Sequence, residues 1–149
     1  MTDQQVLDIL RAYPQIYLAC HVEHRTRGKS STGLTSRDAS FLAHVEDPAG
    51  SSPAQLARHL GISPSTLSPA LARMEAQGLV SRDPNPGDAR RRMVRLTPTG
   101  RSALAANSVL DPERVAALLA RLGAAERDQA VAGLQLLAKA ARTYREEES

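Results

Sequence analysis

The stretch Gln55-Leu56-Ala57-Arg58-His59-Leu60-Gly61-Ile62-Ser63-Pro64-Ser65-Thr66-Leu67-Ser68 decides the fold. Just ahead of it, Ser52-Pro53 reads as a helix N-cap followed by proline at the first helical position, where a missing N–H costs nothing. Leu56, Ala57 and Leu60 share one helical face, so this helix is expected to end near Leu60. Gly61-Ile62 supplies a tight turn. Ser63-Pro64 repeats the cap-plus-proline signal and opens a second helix to about Gln77, with Leu67, Leu71 and Met74 inside and Gly78 as its stop. Two short helices joined by a short glycine-containing turn make a helix-turn-helix.

Working outward toward the C-terminus, Leu79-Val80-Ser81-Arg82 and Arg92-Met93-Val94-Arg95-Leu96 flank the turn-rich Asp83-Pro84-Asn85-Pro86-Gly87-Asp88. The second run alternates, so the pair reads as a two-stranded hairpin with a basic tip. Thr97-Pro98 starts a helix to about Val109, and Asp111-Pro112 starts another that Gly123 stops. A last helix is expected from Ala124 to Arg145, with Val131, Leu134, Leu137, Ala141 and Tyr144 as its stripe, and the acidic Glu146-Glu147-Glu148 is expected to fray. Toward the N-terminus, Thr35 caps a helix within Leu34–Glu46. Val6, Leu10, Tyr13, Tyr17, Cys20 and His24 recur at spacings of four and three, which predicts an amphipathic helix from Asp3 to about Thr26, kinked or restarted at Pro14. Arg25–Gly33 and Asp47–Ser52 read as loops. The expected architecture is all-α, six or seven helices, with one small two-stranded β element.

At 149 residues and 16.0 kDa the chain suits one domain, or one domain with a small appendage. Aromatics are only 3% and Trp is absent, so the core must come from Leu, Val, Ile and Ala, a helix-favouring set. No run of 18 apolar residues predicts a membrane span, and MTDQQVLDIL lacks the basic and apolar regions of a signal peptide, so a cytoplasmic protein is expected. The single Cys20 excludes a disulfide framework and a Cys-rich zinc fold.

The net charge of +3 is unevenly spread. Residues 53–101 hold eight arginines (58, 73, 82, 90, 91, 92, 95 and 101) against Glu75, Asp83 and Asp88, whereas the stretches on either side are each slightly acidic. Positive charge concentrated in one third implies a surface that meets a polyanion, nucleic acid first. A solvated Arg-rich surface produces the same count, and charge by itself does not choose between them.

DNA binding needs a helix with short polar side chains at its exposed start, cations on a following hairpin, and rigid packing between them. Ser65, Thr66 and Ser68 supply the first from a helix capped by Ser63; Arg90, Arg91 and Arg92 supply the second; Arg73, further along, suits a phosphate. A recognition helix of this kind enters the major groove with its N-terminal residues near base edges, and Arg can enter a narrowed minor groove.

In these residues the chain resembles the MarR-type winged-helix regulators. The resemblance runs from Gln55 to Ser68, through Leu71-Ala72-Arg73-Met74-Glu75-Ala76-Gln77-Gly78-Leu79-Val80-Ser81-Arg82 and Asp88-Ala89-Arg90, to Val94-Arg95-Leu96-Thr97-Pro98-Thr99-Gly100. The Asp-x-Arg wing signature followed by Val-x-Leu-Thr-x-x-Gly is its specific part. The resemblance implies a winged helix-turn-helix over residues 34–101 and helical dimerisation segments over 1–33 and 102–149. It also implies a homodimeric regulator, repressor or activator, tuned by a small ligand or an oxidant. Arg90 would lie at the minor groove, Asp88 would pair with a nearby Arg and hold the wing, and Ser65, Thr66 and Ser68 would face the major groove. Pro69 departs from the family pattern: its ring is expected to clash with the Ser65 carbonyl, bending the helix and removing a base contact at that position.

Other constellations weigh less. Cys20, with Tyr17, His21 and His24 within a turn, could sense oxidants as a thiolate, but its place on the apolar stripe favours plain packing. Cys20 and His24 share a face, yet a closed metal site needs about four ligands, so no metal or other cofactor is expected. Tyr13 and Tyr17 could line an effector pocket, with core packing the favoured alternative. No phosphate loop, G-x-S-x-G or H-E-x-x-H occurs, and Asp38, Glu46 and Asp47 are spaced as solvated charges, so no enzyme is expected. The reading that results is a sequence-specific transcriptional regulator, a repressor by expectation, binding double-stranded DNA as a homodimer on an inverted repeat. A thiol-based sensor and a winged helix used for protein contacts are the competing readings.

Overall fold

The computed structural model describes residues 2–22 and 34–147. In chain order the elements are α1 (Asp3–Cys20), α2 (Ser36–His44), α3 (Pro53–Leu60), α4 (Pro64–Ala76), β1 (Val80–Asn85), β2 (Asp88–Leu96), α5 (Pro98–Asn107), α6 (Pro112–Leu119) and α7 (Ala124–Glu147). The architecture is helical with one antiparallel two-stranded wing, as expected.

Four helices begin with the same device. Ser52, Ser63, Thr97 and Asp111 each cap the following helix, with proline at the first position behind them. The cap oxygens accept from Gln55 N (3.2 Å), Thr66 N (3.2 Å), Gly100 N (3.0 Å) and Glu113 N (2.8 Å). Each satisfies a backbone donor that has no intrahelical partner. Gly61, at φ 63°, turns the chain from α3 into α4 in the left-handed region where a side chain would be strained.

The core lies within the middle of the chain. Phe41 and Leu42 of α2, with Val45 just after it, cluster with Leu56 and Ala57 of α3, Leu67, Leu71 and Met74 of α4, Leu79 and Val80 where β1 begins, and Val94 and Leu96 of β2. Ala103 of α5 completes the cluster. Close packing at one edge requires Gly100: a Cβ there would sit 1.9 Å from the Leu79 carbonyl oxygen. The α2–α3 loop is tied to the wing by a two-way backbone pairing of Ser51 with Val94, at 2.9 and 2.8 Å.

Several boundaries differ from those expected. α1 ends at Cys20 rather than near Thr26, because the chain there turns to pair with the α5–α6 connection: Val22 N donates to Val109 O (3.1 Å) and Asp111 N to Cys20 O (2.8 Å). His24 and the Arg25–Gly33 loop lie outside the described residues. Pro14 does not restart α1 and Pro69 does not break α4; each sits on the exposed side of a helix that continues through it. In α4 the packing of Leu67, Leu71 and Met74 holds the helix on both sides of Pro69, and the Ser65 carbonyl that loses its helical donor is at the solvent side. The hairpin is longer than the turn-rich sequence implied. Strand pairing runs past Asp83 and Pro84, and the turn is reduced to Pro86-Gly87, closed by Gly87 N donating to Asn85 Oδ1 (2.8 Å). The acidic end is helical through Glu147.

Candidate nucleic-acid interface

α4 presents its N-terminal half to solvent. Ser63, Ser65, Thr66 and Ser68 are all exposed while Leu67 between them is buried. Ser63 Oγ lies 2.9 Å from both Ser65 Oγ and Thr66 Oγ1, so the hydroxyls are held in one linked group at the start of the helix. Side chains of this kind can donate or accept at a base edge.

Beside it stands the wing. Partners along the hairpin are regular from Val80↔Leu96 to Pro84↔Arg92, then jump to Asn85↔Asp88. Ala89, Arg90 and Arg91 therefore occupy an irregular stretch of β2, which re-aims their side chains. Asp88 organises it: Oδ1 accepts from Arg90 N (3.1 Å) and Oδ2 lies 3.5 Å from Arg91 Nε.

The eight arginines of residues 53–101 divide by partner. Arg73 of α4 pairs with Asp38 of α2. Arg82 Nε donates to Glu75 Oε2 (2.8 Å), joining β1 to the end of α4. Arg95 donates to the Pro48 carbonyl (2.7 Å) and lies 4.0 Å from Asp83. Arg101 grips Asp47 through two bonds of 2.7 and 2.5 Å. Arg91 has only its exposed contact with Asp88. Among the described residues, Arg58, Arg90 and Arg92 have no carboxylate partner. The positive excess thus separates into cations that hold the fold and cations left at the surface of α3 and the wing.

Asp38 corrects the expectation of a solvated charge, whereas Asp47 stays exposed but is paired. Asp38 is buried, with 7% of its side chain exposed, and accepts from Thr35 N (3.2 Å) as well as from Arg73. Burial pushes its carboxyl up, but the Thr35 hydrogen bonds and the Arg73 guanidinium outweigh this and hold it below the usual carboxylate range. Asp47 is likewise held low, chiefly by the hydrogen bonds from Arg101, whose own affinity for its proton rises in turn.

A cleft of about 970 Å³ opens between α2, α5 and the connection to α6. Ala39, Ala43, Leu104 and Val109 give it an apolar wall; Ser40, Asp47, Arg101 and Asn107 supply polar groups. Tyr13 and Tyr17 are not among its lining residues: Tyr13 is exposed, and Tyr17 stacks on His21 with ring centroids 4.4 Å apart. Cys20 is 1% exposed, packed where α1 meets the α5–α6 connection. No cluster of three or more metal-ligating side chains occurs among the described residues, and no helix among them is long and apolar enough to cross a membrane. The polar groups of the cleft went unread in the sequence, because Asp47 and Arg101 are separated by 54 positions.

The terminal helices have a different surface. In α1, Leu10, Tyr13 and Leu18 are exposed, Leu18 at 75%; in α7, Leu134, Leu136 and Leu137 are exposed, Leu136 at 69%. Among the described residues only Cys20 of α1, and none of α7, is buried within the single chain.

Comparison with known proteins gives concordant results. The model of the MarR family matches residues 32–91. The transcriptional regulator HosA of Escherichia coli O111:H- is 34% identical over 95 residues, which cover 64% of this chain and 70% of HosA. The transcriptional activatory protein BadR of Rhodopseudomonas palustris is 32% identical over 96 residues, covering 61% of this chain and 55%, about half, of BadR. Among solved structures, a probable transcriptional regulator from Pseudomonas aeruginosa is 28% identical with a TM-score of 0.50, covering 91% of this chain and 98% of its own. The regulator Tm0710 of Thermotoga maritima shares the fold at a TM-score of 0.53 and 20% identity, covering 96% and 99% of the two chains.

Proposed function

Because the chain belongs to the MarR family, whose members are transcriptional regulators and not enzymes, we propose that it binds double-stranded DNA in a sequence-specific manner, as a homodimer on an inverted repeat. The observation that carries this reading is the pairing of two exposed features on one packed unit. They are the linked hydroxyls at the start of α4 and the wing cations Arg90 and Arg92, which no carboxylate among the described residues neutralises. The hydroxyls suit base edges in a major groove, and the wing cations suit phosphates or a narrow minor groove.

In this proposal residues 34–101 form the DNA-binding unit and residues 1–33 and 102–149 the dimerisation region. Support for the second assignment comes from the exposed apolar side chains of α1 and α7, which leave large side chains in water unless a second copy covers them. Two α4 helices would then enter successive major grooves about one helical turn apart. The cleft beside α5 is the proposed seat of a small-molecule effector, and repression is the proposed sign of regulation. A reporter driven from a promoter overlapping the operator should therefore rise when the regulator is deleted.

The experiment that tests the reading is selection of bound duplexes from a random pool at two salt concentrations. Enrichment of an inverted repeat with half-sites about one turn apart is expected, with affinity falling steeply as salt rises. No enrichment at either salt would sink the proposal.

A further inference from the structure

We propose that Arg73 and Asp38 form a positioning pair that sets the seat of α4 against α2, so that Arg73 serves DNA reading through the placement of the helix and not as a phosphate contact. This rests on the DNA-binding reading above and assigns a role inside it.

Asp38 is buried, and both its oxygens are engaged: Oδ2 accepts from the Thr35 backbone N–H at 3.2 Å, and Oδ1 accepts from Arg73 Nη2. A charged group removed from water is tolerated when it is paired and hydrogen-bonded. Were the Arg73 guanidinium to turn toward a phosphate, Asp38 would stay buried with its compensating charge gone. The phosphate would have to replace that loss before contributing anything. An arginine free of such a partner, like Arg90 or Arg92 on the wing, has no such cost.

Geometry points the same way. α2 packs chiefly on α3 and α5 and shares the buried apolar cluster with α4, and among the described residues the Arg73–Asp38 pair is the one ion pair between α2 and α4. Two positions further along α4, Glu75 holds Arg82 of the wing strand at 2.8 Å. The C-terminal half of α4 is therefore pinned on two sides, to α2 and to β1. Its N-terminal half, about 12 Å away along the axis at Ser65, is left to face outward. A small tilt allowed at the pinned end is carried to the hydroxyls, where hydrogen bonds to bases tolerate only a few tenths of an ångström. Asp38 also directly precedes Ala39 and Ser40, two residues of the cleft wall, so the pair joins that wall to the reading helix.

The test is equilibrium binding to the enriched duplex over a salt series. Wild type, Arg73→Gln, Asp38→Asn, the double variant and Arg73→Lys are compared, each checked for folding by thermal melting. Both single variants should weaken binding by about tenfold with the slope of log K against log salt unchanged. The double variant should be no weaker than the weaker single, because either change alone already removes the pair. Arg73→Lys keeps a cation on Asp38 and should recover most of the affinity. If Arg73→Gln does not fold, Arg73→Lys and Asp38→Asn carry the decision.

A phosphate contact gives the opposite pattern. Arg73→Gln would then lower the slope by about 0.9 for each phosphate released, and Asp38→Asn, by freeing the guanidinium, would bind as tightly as wild type or tighter. Either result, or unchanged affinity in Arg73→Gln, overturns the proposal. A wild-type chain with no salt-dependent binding fails earlier and differently. It removes the DNA reading itself, and with it the task for which α4 would be positioned.

Discussion

The middle of this chain and its two ends handle apolar side chains in opposite ways. Between Phe41 and Ala103, helices, wing and loop bury a continuous cluster, and ion pairs such as Arg82–Glu75 and Arg101–Asp47 tie its elements together. In α1 and α7 the apolar side chains are placed with equal regularity but remain largely in water within one chain. Hydrophobic periodicity is the same signal in both regions. It marks a face that will be covered, and does not say whether the cover comes from the same molecule. The middle third carries its own partner surfaces; the ends, in the proposed dimer, carry half of one.

The sharpest way to break that contrast is a single added methyl. Gly100→Ala puts a Cβ 1.9 Å from a backbone carbonyl that belongs to Leu79 and cannot rotate away. The middle unit should lose about 3 kcal/mol or more, read as a lower urea midpoint. A melt unchanged from wild type would show that the α5–wing contact is looser than described.

Next in size is a charge on the terminal faces. Leu10→Glu combined with Leu134→Glu should leave the fold of residues 34–101 intact by circular dichroism while converting the dimer to monomer in sedimentation. DNA affinity should fall by about a hundredfold, because two linked half-site contacts become one. Continued dimerisation would move the self-association surface elsewhere.

Arg90→Ala probes the surface cations rather than the core. It should weaken binding to every duplex by a similar factor of about ten and lower the salt slope by about 0.9 per phosphate released. Ser65→Ala and Ser68→Ala should instead change which half-sites are enriched. A wing variant with unaltered slope would contradict the division of arginines drawn above.

Acid sensitivity separates the regions more gently. Asp38 and Asp47 both have folded-state values below the usual carboxylate range, so each stabilises the fold above its unfolded value of about 4. That contribution is lost as pH falls from about 4 through the lower folded-state values. The acid limb of the stability curve should be shallower in Asp38→Asn. The smallest effect is at Gly133, within α7, where an added Cβ meets nothing within 4 Å. Gly133→Ala should stabilise by about 0.5 to 1 kcal/mol, opposite in sign to the same substitution at Gly100.

Much of the fold was legible in the sequence because its signals are short. A serine or threonine followed by proline satisfies a donor two or three residues away, so Ser52, Ser63 and Thr97 announced their helices without reference to anything distant. Boundaries failed where the chain answers to a remote partner. α1 stops at Cys20 because residues 109–111 are beside it, and the wing runs beyond Asp83 because a pairing strand carries it there. The candidate interface was legible in the same measure. Ser63, Ser65, Thr66 and Ser68 lie where the helix period places them, and the wing arginines are on β2, although the shift in pairing re-aims Arg90 and Arg91. Arg73, picked out for a phosphate, is held by a carboxylate 35 positions away that nothing local marks.

The helical class, the helix-turn-helix with its basic hairpin, the caps, the unevenness of charge and the resemblance to a regulator family are all legible from the residues in order. These depend on interactions spanning a few residues or on simple counting. Long-range packing sets which arginines are spent on the fold and which remain at the surface, that Asp38 is buried and paired and Asp47 paired at the surface, and where the cleft lies. Charge is a property of each residue, but its availability depends on what packing brings within about 4 Å, and the partners of Arg73 and Arg101 stand 35 and 54 residues away along the chain.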